Sequence, residues 1–449
     1  MNKSLKKRQS VFIRALAPTL LGLVLIASLF FPLSARAAVS PEVKPAYALV
    51  NCRIFPVAQP VIEKGTIVVR DGLIEAVGPA AKVQVPEDAE VIEASGLTAY
   101  PGLISAHTNL FLETKEQAQP PGTPEDYLAA YTQPAEPKEL PWLKIIEKLK
   151  PKKETAEAYR KTGITTVVVA PNEGIFQGQS VILNLNGDEI NDMVLTQPWA
   201  LHINFTTERR VYPSSPMGTL AFIRQKFYDT QHYSQYLQKY RQSPQLLRRP
   251  EYDPFLEALL PYVVDKKTIV FQCNNLEEIK RALKIIKEFQ LKAVLTGCNE
   301  AWRVSQDLKS ASGIPLLVTL DFRPPNSSLY AQEGQAAREK AEKEIYPANA
   351  SNLAKEKINF SLTSFGLSES NFIKNLRLAI QAGLSADQAL RSLTIEPART
   401  LGLEKQLGSL EPGKIANLIL TKGELFDEKT KIVKVMVDGT LFSYEEKSQ

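Results

Sequence analysis

Alternating strand-like and helix-like segments fill the middle of this chain, and that alternation restricts its fold more than any other feature. Gly163-Ile-Thr-Thr-Val-Val-Val-Ala170 reads as a buried strand behind a helix over Ala156 to Lys161. Further strands are expected at Leu201 to Phe205, Lys267 to Phe271, Lys292 to Leu295, Ile314 to Leu320 and Asn359 to Leu362. Helical stretches at Gly218 to Tyr240, Leu276 to Gln290 and Ala301 to Ser310 separate them. Short β-rich runs divided by helical-period segments specify βα units, whose strands pair in parallel and are covered on both faces. At this length a (β/α)8 TIM-like barrel is the expected closure of such an α/β chain.

The two ends follow a different pattern. Tyr47 to Ile54 is β-rich, and Thr66 to Arg70 followed by Leu73 to Val77 reads as a hairpin across Asp71-Gly72. Val91-Ile92 and Leu97 to Tyr100 continue the run. Near the other end, Ala416 to Leu420 follows a Glu411-Pro-Gly413 turn, and Ile432 to Val437 reaches Asp438-Gly439. Neither segment is long enough to close a sandwich alone, so the termini are expected to combine into a small composite β-sandwich. The resulting plan is a signal peptide over 1–38, composite β domain over 39–100 and 405–449, and a barrel over 101–404. Ser385-Ala-Asp-Gln388 is a capping box for a late helix, and Pro397 suits the first turn of the next. Gln117 to Pro141 reads as a surface excursion, and Glu333 to Lys357 as a charged, solvated helical face.

Residues 1–38 carry a basic start (Lys3, Lys6, Lys7, Arg8, Arg14), an apolar run from Leu20 to Phe31 and Ala35-Arg36-Ala37 as a cleavage site. This is the pattern of an export signal, and it predicts a periplasmic or secreted protein. The formal charge of +5 belongs to that segment, which holds six cations and no acid. The remainder is near −1, so a nucleic-acid partner loses its electrostatic basis. Three cysteines do not make a disulfide scaffold, and a zinc enzyme with several imidazole ligands would need nearly all of the three histidines.

One short stretch suggests chemistry. Tyr100-Pro-Gly-Leu-Ile-Ser-Ala-His-Thr-Asn-Leu110 is an apolar strand that ends by presenting His107 and Asn109 on one side. Two histidines at that spacing would offer two imidazoles to a metal; here the second is an amide.

This stretch, the βα repeats, Leu384 to Leu403 and Leu407-Gly-Ser-Leu-Glu-Pro-Gly-Lys-Ile-Ala-Asn-Leu418 together resemble the amidohydrolase superfamily, nearest its imidazolonepropionase-like and dipeptidase-like branch. The resemblance implies hydrolysis of non-peptide C–N bonds, in amides or cyclic amides, by one or two divalent metals at the barrel mouth. There the metal acidifies a bound water and an Asp accepts its proton. It also implies where the ligands should stand. The first-strand pair maps to His107 and Asn109, and the midway carboxylate falls near Thr207 and Glu208. The fifth-strand His maps to Gln272, the sixth-strand His to Gly297 and the catalytic Asp to Phe365. His202 is placed at the wrong end of a strand for chemistry, and His232 on a surface helix.

The expectation is therefore a pseudoenzyme, binding protein or partner subunit with no cofactor, forming a homo-oligomer or a hetero-oligomer with an active amidohydrolase homologue. The alternative is an active enzyme with an altered mononuclear site, a divalent zinc at His107. His107 is expected to hydrogen-bond a neighbour such as Asn109 or Gln272, or else to contact a substrate or metal. Cys273 and Cys298 could be a disulfide, two buried thiols or a new reactive site. Asn274, Asn275, Asn299 and Glu300 could hold a small polar ligand without metal. Phe176-Gln-Gly-Gln179 is either a mouth loop or a glycine turn.

Overall fold

The computed structural model describes residues 45–113, 139–207, 212–311, 313–325 and 333–444. The expected signal peptide, Glu208 and all but the end of the 117–141 excursion lie outside these residues.

The first five strands are β1 (Tyr47–Ile54), β2 (Ile62–Arg70), β3 (Leu73–Pro79), β4 (Glu90–Glu93) and β5 (Thr98–Pro101). Asp71 and Gly72 both take positive φ, which makes the tight β2–β3 hairpin turn. The central series is β6 (Leu103–Thr108), β7 (Ile164–Val169), β8 (Phe176–Gln179), β9 (Val181–Asn184), β10 (Val194–Thr196) and β11 (Leu201–Asn204). It continues with β12 (Ile269–Cys273), β13 (Ala293–Gly297), β14 (Leu316–Thr319) and β15 (Ser361–Thr363). The last three strands are β16 (Leu418–Lys422), β17 (Lys431–Val437) and β18 (Thr440–Ser443).

Both chain ends enter one eight-stranded sheet, in the order β18-β17-β16-β5-β1-β2-β3 with β4 also on β1. The joint is the antiparallel β16–β5 pair, Leu418 opposite Pro101 and Thr421 opposite Thr98. A sandwich of two separate sheets was expected; a single bent sheet is found. β1 makes the bend. Its first half pairs with β4, its last residues pair with β5, and register shifts lie between Leu49 and Ile54. Leu49, Ile54, Ile67, Ala99, Leu418 and Met436 fill the resulting core and are fully buried.

The central strands form two sheets, β10-β9-β7-β6 and β15-β14-β13-β12-β11-β8. β6 and β7 run parallel, as do β11 to β15. The third position breaks the expected all-parallel pattern. β8 and β9 form one bent strand around Ser180, antiparallel to β11 through β8 and to β7 through β9. The cause is length: residues 170–175 are too few for a crossover, so the chain can only double back. Gly178 in β8 has φ 115°, and a Cβ there would lie 2.7 Å from the Leu143 carbonyl oxygen. Residues 176–179 are thus a strand, neither a mouth loop nor a turn.

Residues level across a ladder share a face, so register identifies the interior. Ile104, Val168, Ile182, Val270, Val294 and Leu317 converge in one buried cluster, closed below by Ala398 and Leu401. These side chains come from both central sheets, which therefore share one core and form one body.

Helices α1 (Lys153–Lys161), α2 (Pro216–Gln242), α3 (Pro254–Val263) and α4 (Leu276–Phe289) cover it, followed by α5 (Glu369–Gln381), α6 (Ala386–Ser392) and α7 (Ile395–Leu401). The capping box at Ser385 and Gln388 starts α6, and Pro397 lies in the first turn of α7. The charged 333–357 segment is not a solvated face throughout, because Tyr346 and Leu353 are buried and the Tyr346 hydroxyl donates to Glu300 at 2.8 Å.

Two buried polar residues fasten the body to the composite sheet. Asn417 Nδ2 donates to Thr166 and Asn184, both at 3.0 Å, and its Oδ1 accepts from the Asp438 amide at 2.8 Å. Arg160 donates to the Leu185 carbonyl at 2.9 Å and stacks 4.0 Å from the Phe442 ring centre.

Candidate functional site

The upper interior is polar where the lower interior is apolar. His202 stands level with Val270, and Asn204 with Gln272 and then Thr296; Thr319 stands level with Thr363. His202 was expected at the wrong end of its strand; instead it points into the body. Its ring centre lies 5.5 Å from that of His107, with the planes tilted by 50°. The alternation in Leu201-His-Ile-Asn204 places His202 and Asn204 on one face, and that signal could have found both.

His107 is buried at the end of β6. Its Nδ1 shares a 2.7 Å hydrogen bond with Thr296 Oγ1, so its partner is neither Asn109 nor Gln272. The Phe365 ring lies flat on the imidazole, with centroids 3.9 Å apart and an interplanar angle of 11°. Two bonds hold that ring in place: Thr319 Oγ1 donates to the Phe365 carbonyl at 2.8 Å, and the Ser364 amide donates to Ser105 Oγ at 3.0 Å.

Burial pushes the His107 pKa well below the usual histidine value, and His202 adds to the shift. Burial alone takes His202 down to about 3. Both imidazoles are therefore neutral at pH 7. Among the described residues, His107 Nε2, both His202 nitrogens, both Gln177 amide atoms, Asn109 Oδ1, Asn204 Oδ1 and Thr363 Oγ1 have no protein hydrogen-bond partner. Buried polar groups in such a state are uncommon and point to a site rather than to a packed core.

The remaining expected positions are fixed by their own local structure. Gly297 has φ 87°, and a Cβ there would sit 2.9 Å from the Cys273 carbonyl oxygen, so the backbone resists any side chain. Gln272 is half-buried and reaches Asn274 Oδ1 only at 3.5 Å. Cys273 and Cys298 are free and buried, so the disulfide alternative is not formed. Burial raises both thiols, Cys298 to about 12, which leaves them protonated and poor nucleophiles. His232 is exposed on α2.

Above Phe365 opens a cavity of about 780 Å³ lined by Asn274, Glu278, Arg281, Asn299, Asp321 and Arg323. Several of its amides already have structural work. Asn275 caps α4, its Oδ1 accepting from the Glu278 amide at 2.9 Å, and Asn299 Nδ2 donates to the Asp321 carbonyl at 2.8 Å. Glu300 is spent as well, accepting from the Leu276 amide at 3.1 Å and from Arg303 at 3.2 Å. Glu278 accepts from the Asn274 amide at 2.6 Å, and burial raises its pKa. Arg323 Nε donates to Asp321 at 2.7 Å.

Residues 300–442 match the amidohydrolase family model. An amidohydrolase from Thermotoga maritima superposes with a TM-score of 0.74, covering 89% of this chain and all of that one at 24% identity. This is an amidohydrolase-superfamily fold. A Xaa-Pro dipeptidase shares it more distantly, with a TM-score of 0.52 at 14% identity over 89% of this chain and all of that one. Among curated proteins, adenine deaminase 2 of Jannaschia sp. (strain CCS1) is 43% identical over 67 residues, 14% of this chain and 11% of its own length. The 5-methylthioadenosine/S-adenosylhomocysteine deaminase of Moorella thermoacetica is 42% identical over 60 residues, 13% of this chain and 14% of its own. The chain thus matches only about a ninth to a seventh of the length of these relatives.

Amidohydrolases of this superfamily usually work through a divalent metal, and the residues at this site do not fit one. Two neutral imidazoles carry ring nitrogens without protein partners, and among the described residues no carboxylate joins them as a ligand set. Among the described residues no three His, Cys, Asp or Glu side chains group as a ligand set. Two imidazoles, one of them covered by a phenyl ring, fall one protein ligand short of the three that even an all-histidine zinc site uses.

Proposed function

We propose that this protein is an exported amidohydrolase relative that has given up metal-dependent hydrolysis and serves as a binding protein or partner subunit, taking a small polar ligand at the mouth. The short deaminase matches and the family match support descent from hydrolases of C–N bonds. One observation carries the reading: Phe365, which the resemblance aligns with the family's catalytic Asp, lies flat on His107. Hydrolysis there needs an activated water and a base to take its proton, and a phenyl ring excludes the first and cannot be the second. The mouth retains hydrogen-bonding groups and both signs of charge, which suit a polar ligand or an oligomeric partner held without chemistry.

The test is metal analysis of purified protein together with a screen of amide, cyclic-amide and aminopurine substrates. The expected result is substoichiometric metal and no turnover with added zinc or manganese. Stoichiometric zinc that disappears in His107→Ala, with turnover lost alongside it, would overturn the proposal in favour of a mononuclear hydrolase. That competing reading has one observation behind it: His202 brings a second imidazole to His107.

A further inference from the structure

Helix α2 is far longer than its packing requires. Its buried residues are Thr219, Ile223, Phe227, Thr230 and Tyr233, and no residue between 234 and 258 is buried. The last nine residues of α2 therefore carry the chain roughly 14 Å beyond its last packed turn. The projection is built to keep its shape. Leu246 N donates to the Ser243 carbonyl at 3.1 Å, and the Tyr236 hydroxyl donates to the Arg248 carbonyl at 2.8 Å, tying the returning segment to the helix. The Tyr233 hydroxyl reaches Glu257 at 2.8 Å, and Asp253 caps α3 through the Phe255 and Leu256 amides.

The composition of the projection is one-sided. From Thr230 to Pro250 there is no acidic residue, while Lys239, Arg241, Arg248 and Arg249 supply four cations. None of the four pairs with a carboxylate among the described residues, and the first acids beyond them are Glu251 and the capping Asp253. At the outer turn Leu246 is 84% exposed, and Tyr252, on the returning segment, is 75% exposed.

We propose that this projection docks the protein on an anionic lipid bilayer. An exposed leucine and tyrosine suit the boundary between headgroups and acyl chains, and Arg248 and Arg249, two and three residues on from Leu246, suit the phosphate layer. The shape favours this occupant. A convex tip led by a single leucine enters a soft surface easily but offers a protein partner little area to bury. A second copy would bring the same four cations to the contact, and like charges would repel.

The test uses the full chain carrying Leu246→Cys and an environment-sensitive thiol dye. Native Cys52, Cys273 and Cys298 are all completely buried, so the dye reports from the tip alone. Its emission is expected to shift to the blue on phosphatidylglycerol vesicles and not on phosphatidylcholine vesicles. Adding Arg248→Gln and Arg249→Gln, with circular dichroism unchanged, should raise the lipid needed for half-maximal shift about 25-fold, at roughly fivefold per lost cation. Four results would each overturn the proposal. One is a dye that stays aqueous on anionic vesicles, even if the protein sediments with them through another region. Another is a blue shift without vesicles that grows with protein concentration, which would assign the tip to a second copy. The others are equal shifts on both lipids and an unchanged lipid requirement in the double variant.

Discussion

Acid should unfold this protein well before its carboxylates are protonated, because two histidines are buried in the neutral form. The unfolded chain binds protons on both imidazoles near pH 6.5, whereas burial holds folded His202 at about 3 and His107 well below its ordinary value. Unfolding therefore takes up protons. The contribution is fully present above pH 6.5 and is lost progressively as pH falls toward the folded values. Each histidine costs about 1.4 kcal/mol per pH unit below 6.5, so the pair costs about 4 kcal/mol by pH 5. That is a large share of the roughly 5–15 kcal/mol that holds a typical domain together. Glu278 works in the opposite direction, since its raised pKa makes the folded state the better proton binder. It is one group against two. The lowered carboxylates Asp88, Glu93 and Glu157 stabilise the fold above about pH 4.5 and lose that contribution only below it. Urea unfolding at half-unit steps from pH 7 to pH 5 should show a steady fall in stability, and His202→Gln should roughly halve the slope. A flat profile, or an unchanged slope in His202→Gln, would refute the reasoning.

Three further outcomes follow from named contacts. Phe365→Ala removes a half-buried ring from His107 and should cost about 1–3 kcal/mol. It should also let diethyl pyrocarbonate modify His107 in the native protein, where otherwise His232 alone reacts, as read by peptide mass spectrometry. Asn417→Ala leaves the buried Thr166 and Asn184 and the half-buried Asp438 amide without their partner, and should lower stability by about 2–4 kcal/mol in urea titration. Gly297→Ala must place a Cβ against the Cys273 carbonyl at positive φ, so it should cost about 1–3 kcal/mol by thermal unfolding. A neutral result there would mean that the position is free to regain a ligand.

The sequence disclosed the frame of the molecule more fully than its interior. Period-two and helical runs located the parallel strands β11 to β15, and the D-G turns located the hairpins of the composite sheet, because both signals are local. The antiparallel third strand was hidden, since Phe176 to Asn184 has ordinary strand composition and only the shortness of the preceding link reveals its direction. At the site, the positions of His107 and Phe365 could be lined up in sequence, but their stacking could not. It depends on Thr319 and Ser105, which meet the Phe365 segment only through tertiary pairing. His202 was misplaced because alignment to a ligand pattern that lacks it outweighed the plain alternation of its own strand. Thr296, the partner of His107, carries no signal at all in sequence.

The β5–β16 joint also dictates when the protein can fold. The Thr98–Pro101 strand is made roughly 300 residues ahead of the Leu418–Thr421 strand it pairs with. Until then, β5 carries an open edge of unpaired amide and carbonyl groups beside apolar β1, the kind of edge that recruits other chains. Closure over so long a loop is slow compared with forming the local βα units. The nascent protein thus has a period in which its middle can assemble while its first sheet cannot be completed. A chain kept unfolded until synthesis is complete avoids that period altogether.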